Sequence, residues 1–157
     1  MTGPTDSAKL IAPPPVLYAG ALIAFLVLRS FWPAPIVGRA NWAVAAGFVV
    51  GFLGAGLVLW GLATMRTAGA AVDPRKGTKA IVTTGPFRFT RNPLYVGLTL
   101  VYLGLTLGFD TWWGIVLLVP LMVVLHVGVV RREESYLERK FGDEYRQYKR
   151  KVGRYIG

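Results

Sequence analysis

Apolar and polar positions fall into blocks along this chain rather than alternating. Four stretches, about Val16–Trp32, Ala43–Ala63, Pro93–Phe109 and Trp112–Val130, are separated by polar or basic connections. Ala40–Met65 holds no charged residue over 26 positions, and Thr111–Val130 none over 20 apart from His126. A helix of about 20 apolar residues spans a ~30 Å hydrocarbon core, so the pattern predicts four transmembrane helices. Pro33 and Pro35 close the first, and Asp110 with Trp112-Trp113 marks a tight turn between the third and fourth. The third is short for a full crossing, which predicts tilt or local thinning of the bilayer. Past Arg131 the last apolar helix is expected to run on into polar, cytosolic helices over 131–152. Gly142 ends the first of these, and Asp143–Lys151 forms a second with Tyr145 and Tyr148 on one side. Leu137 and Phe141, four apart, share a face.

The fold class read from this is an all-α integral membrane protein, with about four transmembrane helices and short cytosolic C-terminal helices. Residues 1–15, ending in Pro13-Pro14-Pro15, read as a flexible tail, and 16–157 as one membrane domain. A basic n-region and an A-x-A site are both missing ahead of the first apolar stretch, so it reads as a retained anchor. Composition agrees: of 157 residues 54% are apolar and 17% charged, with mean hydropathy +0.47. The glycines of the second span, including Gly47-xxx-Gly51, predict a close helix–helix seam.

Charge sets the orientation. The net charge is +10. With both termini cytosolic, 16 Lys and Arg lie inside and only Arg29 and Arg39 outside, which obeys the positive-inside rule. This distribution suits anionic lipid headgroups rather than nucleic acid, and the compact layout fits a bacterial inner membrane. Absence of cysteine excludes disulfide, thiolate and Cys-type zinc chemistry. A single histidine argues against a protein-ligated transition metal, so no metal site is expected.

Two polar clusters stand at predicted membrane exits. In Gly85-Pro86-Phe87-Arg88-Phe89-Thr90-Arg91-Asn92-Pro93-Leu94-Tyr95-Val96-Gly97, rings and cations interleave before a helix start. Asn92 is expected to cap that helix and Pro93 to take its first position, where a missing N–H costs nothing. The long connection before it carries a turn at Asp73–Gly77 and a short extended or amphipathic piece at Ala80–Thr84. The second cluster is Arg131-Arg132-Glu133-Glu134. Its carboxylates read either as a solvated helix face or as acceptors for an ammonium or a ribose diol. Arg88, Arg91, Arg131 and Arg132 suit a carboxylate, a phosphate or lipid headgroups. Phe87, Phe89, Tyr95, Tyr145 and Tyr148 suit a planar base or an interfacial belt. His126 reads as a packing histidine; on a continuous helix it shares a face with Glu133, seven residues on. Ser-His-Asp, Walker and dinucleotide motifs are missing.

The segment from Gly85 to Tyr95 resembles the Gly-Pro-Tyr/Phe-Arg-x-x-Arg-His/Asn-Pro-x-Tyr stretch of the isoprenylcysteine carboxyl methyltransferase family, whose wider relatives include membrane phospholipid methyltransferases. Glu133-Glu134-x-x-Leu137-x-x-x-Phe141-Gly142-x-x-Tyr145-x-x-Tyr148 resembles its C-terminal signature, which closes on an Arg-aromatic pair like Arg154-Tyr155. The resemblance covers about Ala80–Tyr155. It implies an integral membrane enzyme using S-adenosylmethionine, with a lipophilic or lipid-linked substrate arriving from the bilayer. Carried over, it places Asn92, Pro93, Tyr95 and Gly97 beside the cofactor. Glu133 and Glu134 would hold its amino-acid or ribose part, and Leu137, Tyr145 and Tyr148 would close over it. Arg88 or Arg91 would meet the cofactor carboxylate or an acidic acceptor, with Arg91 and Glu134 as the catalytic pair. Asn92 stands where many relatives have His, so a role needing an imidazole is not supported there. A carboxyl, an amine, a thiol and a phospholipid headgroup all stay open as methyl acceptors. Two other readings remain: an NADPH-dependent enzyme like the sterol reductases, and a non-enzymatic lipid-binding or assembly protein.

Overall fold

The computed structural model describes residues 10–38, 40–71 and 77–155. Most of the expected N-terminal tail, together with Arg39 and the heart of the Asp73–Gly77 turn, lies outside the described residues. Among those residues the chain is all helical. Helices α1 (Pro14–Phe31) and α2 (Asn41–Thr67) come first, and a 3-10 turn occupies Gly85–Arg88. Then come α3 (Pro93–Gly108), α4 (Trp112–Leu125), a π-helical segment (His126–Val130), α5 (Arg131–Phe141) and α6 (Asp143–Lys151). Regular structure starts only at the 3-10 turn in the connection before α3; the extended piece expected at Ala80–Thr84 forms no strand.

Among the described residues three helices are long and apolar enough to cross a membrane: α1, α2 and the continuous run Trp112–Phe141. The fourth expected span, α3, is apolar but has 16 residues. At 1.5 Å per residue it is about 24 Å long, short of the ~30 Å core.

Helix α3 sits between the others because its two faces differ. One face is glycine. Gly97 and Gly104 on α3 meet Gly54, Gly47 and Gly51 on α2, so closely that a methyl group on Gly104 would lie 2.5 Å from the Gly47 carbonyl oxygen. The buried α2 glycines are Gly47, Gly54 and Gly61, seven apart. Seven residues is close to two turns, which keeps them on one stripe. The seam therefore obeys this heptad spacing rather than the Gly47-xxx-Gly51 pair alone; Gly56 faces open space. The other face of α3 is aromatic. Tyr102 packs edge-on against Phe25 of α1 at 5.6 Å and 80°. Tyr95 and Tyr102 join Tyr18, Leu121, Leu125, Val129 and Val130 in the largest core cluster.

The turn between α3 and α4 is tied to the α1–α2 connection. Asp110 adopts a positive φ of 48°, which turns its carboxylate back to accept the Ile36 and Val37 N–H groups at 2.8 and 2.9 Å. Trp112 N–H donates to Ala34 O at 2.8 Å, and the Trp113 indole donates to Trp32 O at 2.7 Å. At the opposite end lie the 3-10 turn, the start of α3, and α5 and α6. Glycine is required at 142, where φ is 55° and ψ −123°. There the chain reverses so that Tyr145, Tyr148 and Val152 pack on Leu137 and Phe141.

Candidate functional site

The site begins with a buried turn. Gly85, at φ 57°, starts the 3-10 turn. Phe87 is buried with Ala70 and Val82, which swings the chain under α6. The Tyr148 hydroxyl donates to Phe87 O at 2.6 Å. Arg88 stays on the surface, its guanidinium 5.5 Å from the Phe89 ring centroid, so of the two arginines considered only Arg91 turns inward.

Residues 90–92 then bind the C-terminal tail. Arg91 N–H donates to Gly153 O at 2.9 Å. The Thr90 hydroxyl and the Asn92 side-chain amide both donate to Arg154 O at 3.0 Å. This corrects the expected role of Asn92. It occupies the position before α3, but its side chain makes no cap. The tail carbonyl takes the amide, while Thr90 Oγ1 accepts the Asn92 N–H at 3.2 Å.

Glu134 stands between two guanidiniums. Arg91 Nη1 donates to its Oε1 at 2.8 Å, and both side chains are 9% exposed. Arg154 approaches from the other side with two bonds, Nε to Oε1 at 2.9 Å and Nη2 to Oε2 at 2.7 Å. Two-point arginine–carboxylate pairing fixes direction as well as charge. Glu133, one residue earlier, accepts the Tyr95 hydroxyl on Oε2 at 2.8 Å. Arg91 Nε is buried and without a partner among the described residues.

Arg91, Glu133 and Glu134 line a cavity of about 80 Å³, along with Asn92, Leu137, Tyr145 and Tyr148. Tyr145 is buried, and burial pushes its hydroxyl up to about 12, with the Glu134 charge adding to the effect. Tyr148 is also raised, first by burial and then by Tyr145. Both stay neutral at ordinary pH and present ring faces.

Three residues expected beside the cavity lie elsewhere. Gly97 faces α2, where an added methyl would meet Val58 at 2.7 Å and Gly54 O at 2.8 Å. Pro93 is fully buried near Gly61. Tyr95 stands behind the cavity and reaches it through Glu133. Small or apolar residues at a motif position serve helix packing equally well, and the sequence does not separate the two uses. Arg154, which holds Glu134 with two bonds, is the side chain that residue-level reading left out; its signal was the Arg-aromatic pair near the end of the chain.

His126 does not share a face with Glu133. The π segment bonds Arg131 N–H to His126 O, five residues back. One extra residue in the turn rotates the rest of the helix by about 100°. His126 Nδ1 instead lies 3.0 Å from the Tyr155 hydroxyl, and its Nε2 lies 3.5 Å from Arg154 Nη1.

Three membrane-length apolar helices, with a charged, aromatic-lined cavity at one end, define an integral membrane protein. The phospholipid methyltransferase family profile matches residues 42–144, and the chain belongs to this family of methyltransferases. An uncharacterized protein of Haemophilus influenzae is 41% identical over 66 residues, covering 40% of this chain and all of that protein. A nickel-cobalt-cadmium resistance protein, NccN, of Alcaligenes xylosoxydans xylosoxydans is 30% identical over 142 residues, covering 87% of this chain and 59% of that protein.

Proposed function

We propose that this protein transfers a methyl group from S-adenosylmethionine to a lipophilic acceptor resident in the membrane, in the manner of the isoprenylcysteine carboxyl methyltransferases. The observation that carries this is a buried arginine N–H without a partner beside a carboxylate in one cavity. Arg91 Nε is a buried donor without an acceptor among the described residues, and the Glu133 carboxylate lines the same cavity. Such a pair is complementary to an α-amino acid: carboxylate to Arg91, ammonium to Glu133. The cofactor supplies, when bound, an electrophilic methyl on a sulfonium. Glu134 and Arg154 hold Arg91 in place, and the rings of Tyr145 and Tyr148 offer faces to a planar base. A cavity of about 80 Å³ is well below the ~300–1,000 Å³ of ligand clefts. Binding therefore requires the cavity to widen.

In this reading α3 is a fourth, tilted span, and residues 16–157 form one domain. Both termini face the cytosol of a bacterium, with the membrane being the inner one. Sixteen of 18 Lys and Arg on the site side support the orientation.

The test is calorimetric titration of S-adenosylmethionine and S-adenosylhomocysteine into the detergent-solubilised protein and Glu133→Gln, with NADPH as control. Glutamine still accepts the Tyr95 hydroxyl but carries no charge. Saturable binding to the parent, weakened at least tenfold in a variant with unchanged thermal unfolding, supports the reading. A folded protein that binds neither compound, in detergent and in nanodiscs, refutes it.

A further inference from the structure

Helix α1 lies ahead of the residues matched by the family profile, 42–144, yet it reaches the start of α3. Tyr18, in the second turn of α1, is buried and lays its ring along the aromatic face of α3, 6.3 Å from the Tyr102 ring. Its hydroxyl completes a triangle of oxygens. It lies 2.7 Å from Thr99 Oγ1 and 3.1 Å from Tyr95 O, and Thr99 Oγ1 lies 2.8 Å from the same carbonyl. Each hydroxyl carries one proton, so the triangle closes in either of two ways. Tyr18 donates to Thr99 and Thr99 to the carbonyl, or Thr99 donates to Tyr18 and Tyr18 to the carbonyl. In both, the two hydroxyls bond each other and the carbonyl accepts one of them. The tie from α1 to the first turn of α3 is therefore present whichever way the protons lie.

The residue held by this triangle carries its side chain to the charged cavity. The Tyr95 hydroxyl donates to Glu133 Oε2 at 2.8 Å, and Glu133 lines the cavity. The Tyr95 ring is buried in the core cluster that also holds Tyr18 and Tyr102, so its hydroxyl sits at a fixed place. A glutamate side chain has several rotamers open to it, and a hydrogen bond to a charged acceptor is strong enough to select one. A phenol makes that selection without neutralising the carboxylate. Glu134, by contrast, is held by two guanidiniums. Of the two neighbouring carboxylates, Glu133 is thus the one oriented by a neutral donor, which leaves its charge for a cationic ligand.

We infer that Tyr18 and Tyr95 are positioning residues of the cofactor site: Tyr18 steadies Tyr95 from α1, and Tyr95 aims Glu133 at the ammonium group of the methyl donor. The inference rests on the reading under Proposed function. It makes α1 a working part of the site, although α1 lies outside the profile match and contributes no residue to the cavity wall.

The experiment is calorimetric titration of two compounds into the detergent-solubilised protein. One is S-adenosylhomocysteine. The other is its deamino analogue, which keeps the carboxylate and the adenosine but lacks the ammonium. The proteins are the parent, Tyr95→Phe, Tyr18→Phe and the double variant. Phenylalanine keeps each ring in the core, and the ratio of the two affinities cancels any loss of folded protein. The parent should prefer S-adenosylhomocysteine by about tenfold or more, the worth of a charged hydrogen bond. Tyr95→Phe should lower that preference about tenfold. Tyr18→Phe, one step further back, should lower it about threefold. The double variant should match Tyr95→Phe, because Tyr18 acts through the hydroxyl already removed. A purely structural role would weaken both compounds alike and leave the preference where it was. A preference unchanged in Tyr95→Phe or in Tyr18→Phe, or losses of preference that add in the double variant, overturns the inference. A parent that binds neither compound, or binds both equally, overturns the role given to Glu133 under Proposed function instead.

Discussion

Gly104→Ala adds one methyl group where α3 crosses α2, and the structure gives it no room. The new carbon would lie 2.5 Å from Gly47 O, 2.6 Å from Gly51 N and 2.8 Å from Gly51 Cα. All three are backbone atoms, so no side chain can swing aside, and the helices must part by about 0.9 Å to reach the 3.4 Å of ordinary contact. A gap of 0.5–1 Å forfeits a quarter to a half of each ~0.1–0.2 kcal/mol contact. Over some tens of atom pairs along the seam that is on the order of 2 kcal/mol, inside the range for overpacked cores. Alanine's better helix propensity returns up to ~1 kcal/mol. Gly56→Ala is the matched control: the same chemical change on the same helix pair, with nothing within 4 Å. Unfolding monitored by intrinsic tryptophan fluorescence in one detergent should show Gly104→Ala several degrees lower in Tm and Gly56→Ala unchanged or higher. Equal Tm values for the two variants would refute the view that backbone contact between glycines holds α3 against α2.

Other perturbations separate stability from the site. Glu134→Gln leaves Arg91 and Arg154 facing a neutral amide in a mostly buried setting; it should destabilise by about 3 kcal/mol and abolish S-adenosylhomocysteine binding, read by chemical denaturation and calorimetry. Asp110→Ala removes the acceptor of two N–H groups and puts a Cβ without local hydrogen bonds at positive φ. It should cost about 2 kcal/mol yet leave S-adenosylhomocysteine affinity unchanged, because it acts at the far end of the bundle. Burial pushes the Tyr145 hydroxyl up to about 12 from the 10.0 of the free side chain. A raised tyrosine gives stability that is complete below pH 10 and is lost as pH rises toward 12. Unfolding midpoints should therefore fall over that window, and Tyr145→Phe should flatten the slope.

Legibility in the sequence depended on which interactions leave a local trace. The apolar blocks are long, so α1, α2 and the α4 run were legible to within a few residues. Gly142 announced the reversal, and the spacing of Tyr145 and Tyr148 announced a buried face. The π segment left no such trace, because one extra residue in a turn does not alter hydropathy, and so the continuous helix on which His126 and Glu133 would share a face is not what forms. The Asn92 cap failed for a tertiary reason: a carbonyl 62 residues away competes with the local N–H groups. Glu133-Glu134 could be read as a solvated face until the partners, at distances of 43 and 20 residues from Glu134, came into view.

Those distances also say when the site exists. Arg91 is delivered by the turn before α3, Glu134 by the first turn of α5, and Arg154 by a tail that returns only after Gly142 reverses the chain. None of the three segments holds the cluster alone. The guanidiniums of Arg91 and Arg154 meet only because Glu134 neutralises part of their charge, and Glu134 tolerates burial only because both are present. Residues 90–92 then fasten the tail through three backbone-carbonyl bonds at 2.9 to 3.0 Å. A change at Gly97, the seam position near the start of α3, should displace that start and with it Arg91. The Gly97 end of the seam and the charged cavity are thus coupled, and variants at Gly97 should lose S-adenosylhomocysteine affinity along with stability.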